Sequence, residues 1–313
     1  NALSGSVAGG EYNVAIGNYS LDALTSGDSN VAIGYDAGTA LTTGTKHVFI
    51  GYSAGASSVT NTDGSVCIGY QAGNALLNGG SVFVGPDAGK SVTSGSSNVM
   101  IGYAAGDNFD TENHNIGIGT NSLGGAIAGG EYNVAVGGAT LDALTSADDC
   151  TALGYNAGTE ITTGHRNTFI GSDAGNTVST GTDNTILGEN AQTGHTGADQ
   201  QTIIGRGASG SSTQDQIVIG YNTASTGNGY VTLGTGDGTE RVYNLYTTNA
   251  TWTHASDERI KKDITTNTDC GLDFINELRT VKYRKKNYSE VDANLTIYDA
   301  EDTEPKEDII YGL

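Results

Sequence analysis

Aliphatic residues recur in short triplets closed by glycine: Val14-Ala15-Ile16 before Gly17, Val31-Ala32-Ile33 before Gly34, Val48-Phe49-Ile50 before Gly51, and so on through Gly69, Gly85, Gly102, Gly119, Gly137, Gly154, Gly171, Gly188, Gly205, Gly220 and Gly234. Most of these glycines lie 17 residues apart. The position just before each is Ile, Val or Leu, and the position three before is Val, Ile or Thr. β-Branched residues at alternate positions predict a short strand with one face in a core. Three places after the glycine stands a small residue, such as Ser20, Ala37, Ala54 or Ala88. This predicts a second strand lying close against the first. In many units a further glycine follows, such as Gly38, Gly55 or Gly73, where a tight bend or positive φ is expected. A helical reading fails, because glycine recurs too often and the apolar period is two rather than 3.6.

Seventeen residues hold too little apolar surface to fold alone, so each unit must bury its face by stacking on its neighbours. The predicted fold class is all-β: a parallel β-solenoid, or β-roll, of about 14 coils with a 17-residue repeat. At about 4.8 Å per coil it makes a rod roughly 65 Å long. A longer echo lies on top. The phrase GGEYNVAIGNYSLDALTSGD at 9–28 returns as GGEYNVAVGGATLDALTSAD at 129–148, 120 residues and seven units later, which indicates block duplication.

The residues just before the glycines, Ile33, Ile50, Ile68, Ile101, Ile170 and Ile204 among them, are assigned to the core of the coil. The middle residues of the triplets then lie on the opposite face, and these too are apolar: Ala32, Phe49, Phe83, Met100, Phe169, Ile186 and Ile203. An apolar stripe along a whole rod is too large to leave in water. The expectation is that it packs against further copies of the chain around a common axis, as cyclic symmetry allows.

Composition sharpens this picture. Glycine supplies 48 of 313 residues and proline only 2, without a collagen period. The formal charge is −21, and residues 1–240 carry four basic side chains against 21 acidic ones. Such a surface repels nucleic acid and anionic membrane. There is no run of 18 apolar residues, so no membrane insertion is expected. The chain lacks an initiating Met and starts inside the pattern, so it reads as a piece of something longer. Cys67, Cys150 and Cys270 are too widely spaced for a metal motif or disulfide framework.

The repeat phrase, with Asn30, Ala32, Ile33, Gly34 and Ala37 in one unit, resembles the head domains of trimeric autotransporter adhesins and similar repeats of bacteriophage tail fibres. The resemblance covers roughly 10–240 and implies a homotrimer. After Gly234 the pattern stops, which marks 1–240 as the repeat region and 241–255 as a junction. Residues 270–286 read as a short amphipathic helix with Leu272, Ile275 and Leu278 on one side, followed by a strand with Val281 and Tyr283. The run SDERIKKDI from Ser256, with this helix after it, resembles the start of the endosialidase-type C-terminal intramolecular chaperone family. That resemblance implies a small α+β segment at 256–313 that helps three chains assemble and then cuts itself off. It gives Ser256 as the nucleophile, Lys261 as its base and the Ala255–Ser256 bond as the cut. A serine needs a base to lose its proton, and a lysine serves when burial lowers its pKa.

Other candidate chemistry is weighed against plainer roles. Tyr35, Tyr52, Tyr70, Tyr103, Tyr155 and Tyr221 follow the repeat glycine and either cover a corner of the coil or form a sugar-binding ladder. Asp28, Asn30, Asp36, Asn98, Asp183 and Asn184 either bond turn backbone or hold calcium, and the calcium β-roll nonapeptide is missing. The five histidines show no metal spacing, and no cofactor is expected. Taken with the resemblances, the expected role is that of a structural, receptor-binding part of a homotrimeric bacteriophage tail fibre on the extracellular virion. Its partners would be other virion tail proteins and a host cell-surface glycan or protein receptor, met through outer turns such as 55–66. A bacterial trimeric adhesin, a polysaccharide-depolymerase tail spike and an ice-binding threonine array are the alternatives.

Overall fold

The computed structural model describes residues 1–5, 9–58, 64–126, 128–211, 214–236 and 240–246, and the backbone of 281–284 and 309–312. The chain divides into two compact units, Asn1–Thr253 and His254–Leu313. The first is a parallel β-solenoid. Its rungs are β1 (Val14–Ile16), β2 (Val31–Ile33), β3 (Val48–Ile50), β4 (Val66–Ile68), β5 (Val82–Val84), β6 (Val99–Ile101), β7 (Ile116–Ile118), β8 (Val134–Val136), β9 (Thr151–Leu153), β10 (Thr168–Ile170), β11 (Thr185–Leu187), β12 (Asp199–Ile204), β13 (Gln214–Ile219) and β14 (Tyr230–Thr235). Each pairs in parallel with the next, and equivalent repeat positions are Cα partners throughout, as with Val31 and Val48 or Phe49 and Cys67. β15 (Glu240–Leu245) then pairs antiparallel with β14. In the second unit, β16 (Val281–Arg284) and β17 (Ile309–Gly312) form an antiparallel pair. The expected helix before β16 lies outside the described residues.

The repeat glycine is dictated by the stacking. Gly34 has φ +139, and a Cβ placed on it would lie 2.4 Å from the Gly51 carbonyl oxygen of the next rung. No L-residue fits such a column. From β1 to β10 the coils also place left-handed residues two and four places after the glycine and, like the later coils, five before it, as at Asp36 (φ 55), Gly38 (φ 59) and Ser29 (φ 60). These bends are why the expected second strand does not form. The segment after the glycine is a run of turns rather than extended chain. Its backbone still bonds coil to coil, as in Leu21 N–H to the Ala37 carbonyl at 3.1 Å and Gly38 N–H to the Ala54 carbonyl at 2.9 Å. The small residues Ala37, Ala54, Ala72 and Ala88 are buried there.

The two faces of the strand are the reverse of the sequence assignment. Ala32, Phe49, Phe83, Met100, Phe169, Ile186 and Ile203 are fully buried within the single chain and form its core. Ile33, Ile50, Ile68, Ile170 and Ile204 are only half-buried and Ile101 is exposed, so this column points out of the coil. The residues three before the glycine share that outward face, since alternate positions of a strand point the same way. The reason is volume. The interior is filled from two positions, the middle of the strand and the fourth residue after the glycine, which are not both large in the coils of β1 to β10; where both are small, as at Ala32 and Gly38, Phe49 and Leu21 of the neighbouring coils fill the space. Phe49 meets Gly55, Phe83 meets Gly89 and Phe169 meets Gly175. Where the strand offers Ala135 or Gly117, the other position carries Leu141 or Leu123, both fully buried. Leu24, Leu41, Leu76, Val92, Phe109, Leu144, Ile161 and Val178, seven places after the glycine, complete the core.

A buried polar column runs beside it, four places before the glycine. The Asn30 side-chain oxygen accepts the His47 N–H at 2.9 Å, and its amide donates to the Gly44 carbonyl at 2.9 Å. Asn98 repeats this with the Asn115 N–H (2.9 Å) and the Glu112 carbonyl (2.7 Å). Asn133, Asn167 and Asn184 do likewise for Cys150, Asn184 and Gln201. Each amide satisfies one backbone donor on the next coil and one acceptor of its turn, so a shift of a coil would orphan both groups.

Candidate functional site

The outward face of the sheet runs along the solenoid from β1 to β14. Two columns run along it, aliphatic except at Thr151, Thr168, Thr185 and Thr202, with Ile16 58%, Leu153 48% and Leu187 40% exposed. Fourteen rungs about 4.8 Å apart, each about 10 Å wide, give roughly 600 Å² of flat, mostly apolar surface. That is at the upper end of the largest patch found on soluble monomers, and near the area one partner contributes to a stable complex. The stripe expected from the sequence therefore exists, but it is built from the flanking residues of each strand.

Along one border of this face stands the tyrosine column. Tyr35 and Tyr52 stack with centroids 5.3 Å apart and planes 9° from parallel, and Tyr52 and Tyr70 do so at 5.4 Å and 14°. Tyr19 closes the run edge-on to Tyr35 at 5.6 Å. Neighbouring rings thus cover one another's faces and leave edges and hydroxyls to water. A sugar stacks on an aromatic face, so the interior of this run does not offer the ladder considered above. Asp36, with a lesser contribution from burial and the adjoining rings, holds the Tyr35 hydroxyl above its usual pKa.

The acidic and amide residues considered for calcium have local tasks. Asn30, Asn98 and Asn184 belong to the buried amide column. Asp28 accepts the Glu11 N–H at 2.7 Å. Asp183 pairs with Arg166, whose Nε is 2.6 Å away, and the guanidinium holds the carboxyl below its usual range. Among the described residues no group of three or more His, Cys, Asp or Glu is placed to hold a metal ion. Glu112, almost fully buried, accepts the N–H groups of Asp110 (2.9 Å), Thr111 (3.0 Å) and Gly129 (3.0 Å). Burial pushes the Cys67 thiol far up and that of Cys150 to about 11, so neither is poised as a nucleophile. In the threonine pairs at Thr42–Gly44 and Thr162–Gly164, weighed above as an ice-binding array, the Thr162 hydroxyl donates to the Ser179 carbonyl at 3.1 Å, and the Thr42 carbonyl accepts the Thr25 hydroxyl at 3.0 Å.

Ser256 and Lys261, together with residues 59–63 of the long outer turn, lie outside the described residues. Residues 256–304 match the family described as chaperone of endosialidase, whose name marks it as a peptidase family. The match begins at the serine that sequence reading singled out. No curated protein and no solved structure matches the chain. Among the described residues no helix is long and apolar enough to cross a membrane.

Proposed function

We propose that this chain is part of a homotrimeric bacteriophage tail fibre or tail spike, a rigid β-solenoid rod followed by a segment that assists assembly. A solenoid joined to an endosialidase-type chaperone segment fits a tail-fibre or tailspike-like protein. The observation that carries the homotrimer is the outward apolar face. It runs the length of the solenoid, it belongs to a chain with a formal charge of −21, and a second and third copy would cover it around one axis. The chaperone match supplies the reason such copies would be brought together.

In this reading the rod presents its acidic, turn-rich flanks to a host cell-surface glycan or protein, and sits on the virion with other tail proteins. The self-cleaving step belongs to Ser256 and Lys261: the lysine amine takes the hydroxyl proton, the serine oxygen attacks the Ala255 carbonyl, the amide C–N bond breaks as that proton passes to the leaving Ser256 nitrogen, and water then hydrolyses the resulting ester to free the Ala255 carboxylate. The test of assembly is mass in solution. Sedimentation of the full chain should give three times 31.9 kDa, or the corresponding trimer of the shortened chain if the cut has been made. Replacing Ile50 and Ile118 on the outward face by Asp should give monomers. A monomeric wild-type chain at micromolar concentration would overturn the reading.

A further inference from the structure

The duplication of the rod creates a problem that the homotrimer reading, on which this inference rests, must solve. A stack of near-identical rungs presents a near-uniform apolar face. Copies packed on that face could slide by one rung, about 4.8 Å, and keep thirteen of fourteen rungs in contact. Something must fix the axial alignment.

The two duplicated blocks supply the clue. Rungs β2 to β5 correspond, 120 residues on or nearly so, to β9 to β12. The inward and glycine-adjacent columns stay apolar in both blocks. The outward column three before the glycine does not. Val31, Val48, Val66 and Val82 in the first block become Thr151, Thr168, Thr185 and Thr202 in the second. All four threonines lie in register on consecutive strands. Thr151 and Thr185 are exposed, and Thr168 and Thr202 half-buried. Nothing in the single chain requires the change: threonine and valine are both β-branched, nearly the same size, and equally suited to a strand. What differs is one hydroxyl per rung, on the face that other copies would cover.

We propose that Thr151, Thr168, Thr185 and Thr202 form an alignment key between copies of this chain. When equal rungs face one another, each threonine meets threonines of its partners, and the hydroxyls donate to and accept from one another. A slide by one rung sets one threonine at each end of the block against an aliphatic residue, Val134 at one end and Ile217 at the other. Each further rung adds another such pair at both ends. A hydroxyl buried against an aliphatic side chain loses its water partners and gains none, which is the costly case for a polar group. A uniform aliphatic stripe would stick more firmly but would not choose an alignment, in the way a single polar position fixes register in a coiled coil at some cost in stability.

The test uses spin labels on the full chain. Thr120→Cys sits at an exposed position beside the outward face, and a Cys270→Ser background leaves only the buried Cys67 and Cys150 as native thiols. Interchain distances in the trimer should form one narrow population. The variant T151V/T168V/T185V/T202V should remain trimeric and dissociate at a higher temperature. Its distance distribution should broaden or split, with axial offsets in steps of about 4.8 Å. A trimeric variant that keeps the single narrow distance would overturn the key. A wild-type chain with no interchain distance at all would instead sink the trimer reading beneath it. Unchanged dissociation temperature with unchanged distances would show the threonines to be ordinary solvated surface, and would likewise overturn the proposal.

Discussion

Phe49 and Gly55 occupy one space: a Cβ built on Gly55 would stand 2.5 Å from the phenylalanine ring. The same exclusion holds between Phe83 and Gly89, at 2.6 Å, and between Phe169 and Gly175, at 2.3 Å. In the coils that begin at β1 and β8 the arrangement is inverted, with Ala15 and Ala135 in the strand and Leu21 and Leu141 opposite. Those leucines adopt the same left-handed conformation, φ 49 and 52, as the glycines they replace. The sequence of these coils is thus set by a shared volume rather than by either position alone.

A substitution cycle follows directly. Gly55→Leu alone should cost about 1–3 kcal/mol through overpacking, and Phe49→Ala alone about 3–5 kcal/mol through the cavity left behind. The double variant reproduces the Ala135–Leu141 coil and should be markedly more stable than the sum of the two changes predicts. Thermal unfolding of the four proteins measures the coupling, and additive losses would contradict the shared-volume account.

The amide column should be sensitive to deletion of a single side chain. Asn98→Ala leaves the Asn115 N–H and the Glu112 carbonyl inside the coil without their partner. An orphaned buried group costs about 1–3 kcal/mol. Accelerated amide exchange at Asn115, with neighbouring coils little changed, would locate the loss. An unchanged rate there would mean that the ladder bond carries little of the protection.

Burial, partly offset by the Gly124 N–H, pushes the Asp142 carboxyl above its usual range. Its pKa is therefore higher in the folded chain than in the unfolded one. The folded state then binds the proton more tightly, so ionised Asp142 costs stability at neutral pH and that cost disappears as pH falls below the unfolded value. Asp142→Asn should raise Tm at pH 7, with the gain shrinking on acidification to pH 3. Asp183, held low by Arg166, has the opposite sign: its contribution is present at neutral pH and fades as pH falls, and it is small because the pair is exposed.

Expression of the wild-type chain should yield two products divided before Ser256, and Ser256→Ala should yield one. Lys261→Ala should behave like Ser256→Ala if the amine is the base. Mass spectrometry of the longer product reads the cut directly, and a C-terminus anywhere other than Ala255 would refute the assignment.

Much of the solenoid was legible in the sequence because its causes are local. The triplets from Val14 to Leu233 form strands where the alternation places them, and the glycines after them bend as stacking demands. The faces were misread because a three-residue strand with apolar residues at all positions carries no alternation to orient it. Orientation lay in a pairing across six residues, Phe49 with Gly55 or Ala135 with Leu141, which has meaning only once the coil closes. The second strand failed for a related reason: Asp36 and Gly38 carry positive φ, and small residues between such bends pack closely without extending. The asparagine column was visible as recurring Asn30, Asn98 and Asn184, yet its reciprocal bonding depends on the coil above. The local run around Ser256 pointed to the family that residues 256–304 match.

β15 enters against the grain of the fourteen strands before it. A rung added beyond β14 would have to run the same way as that strand, and the returning chain already fills the hydrogen-bonding positions it would need. Among the described residues nothing pairs with the far edge of β15, and its reversed direction breaks the in-register parallel repeat that a further rung would extend. The hairpin therefore ends elongation at that end of the stack and keeps a structure built like a fibril from growing into one.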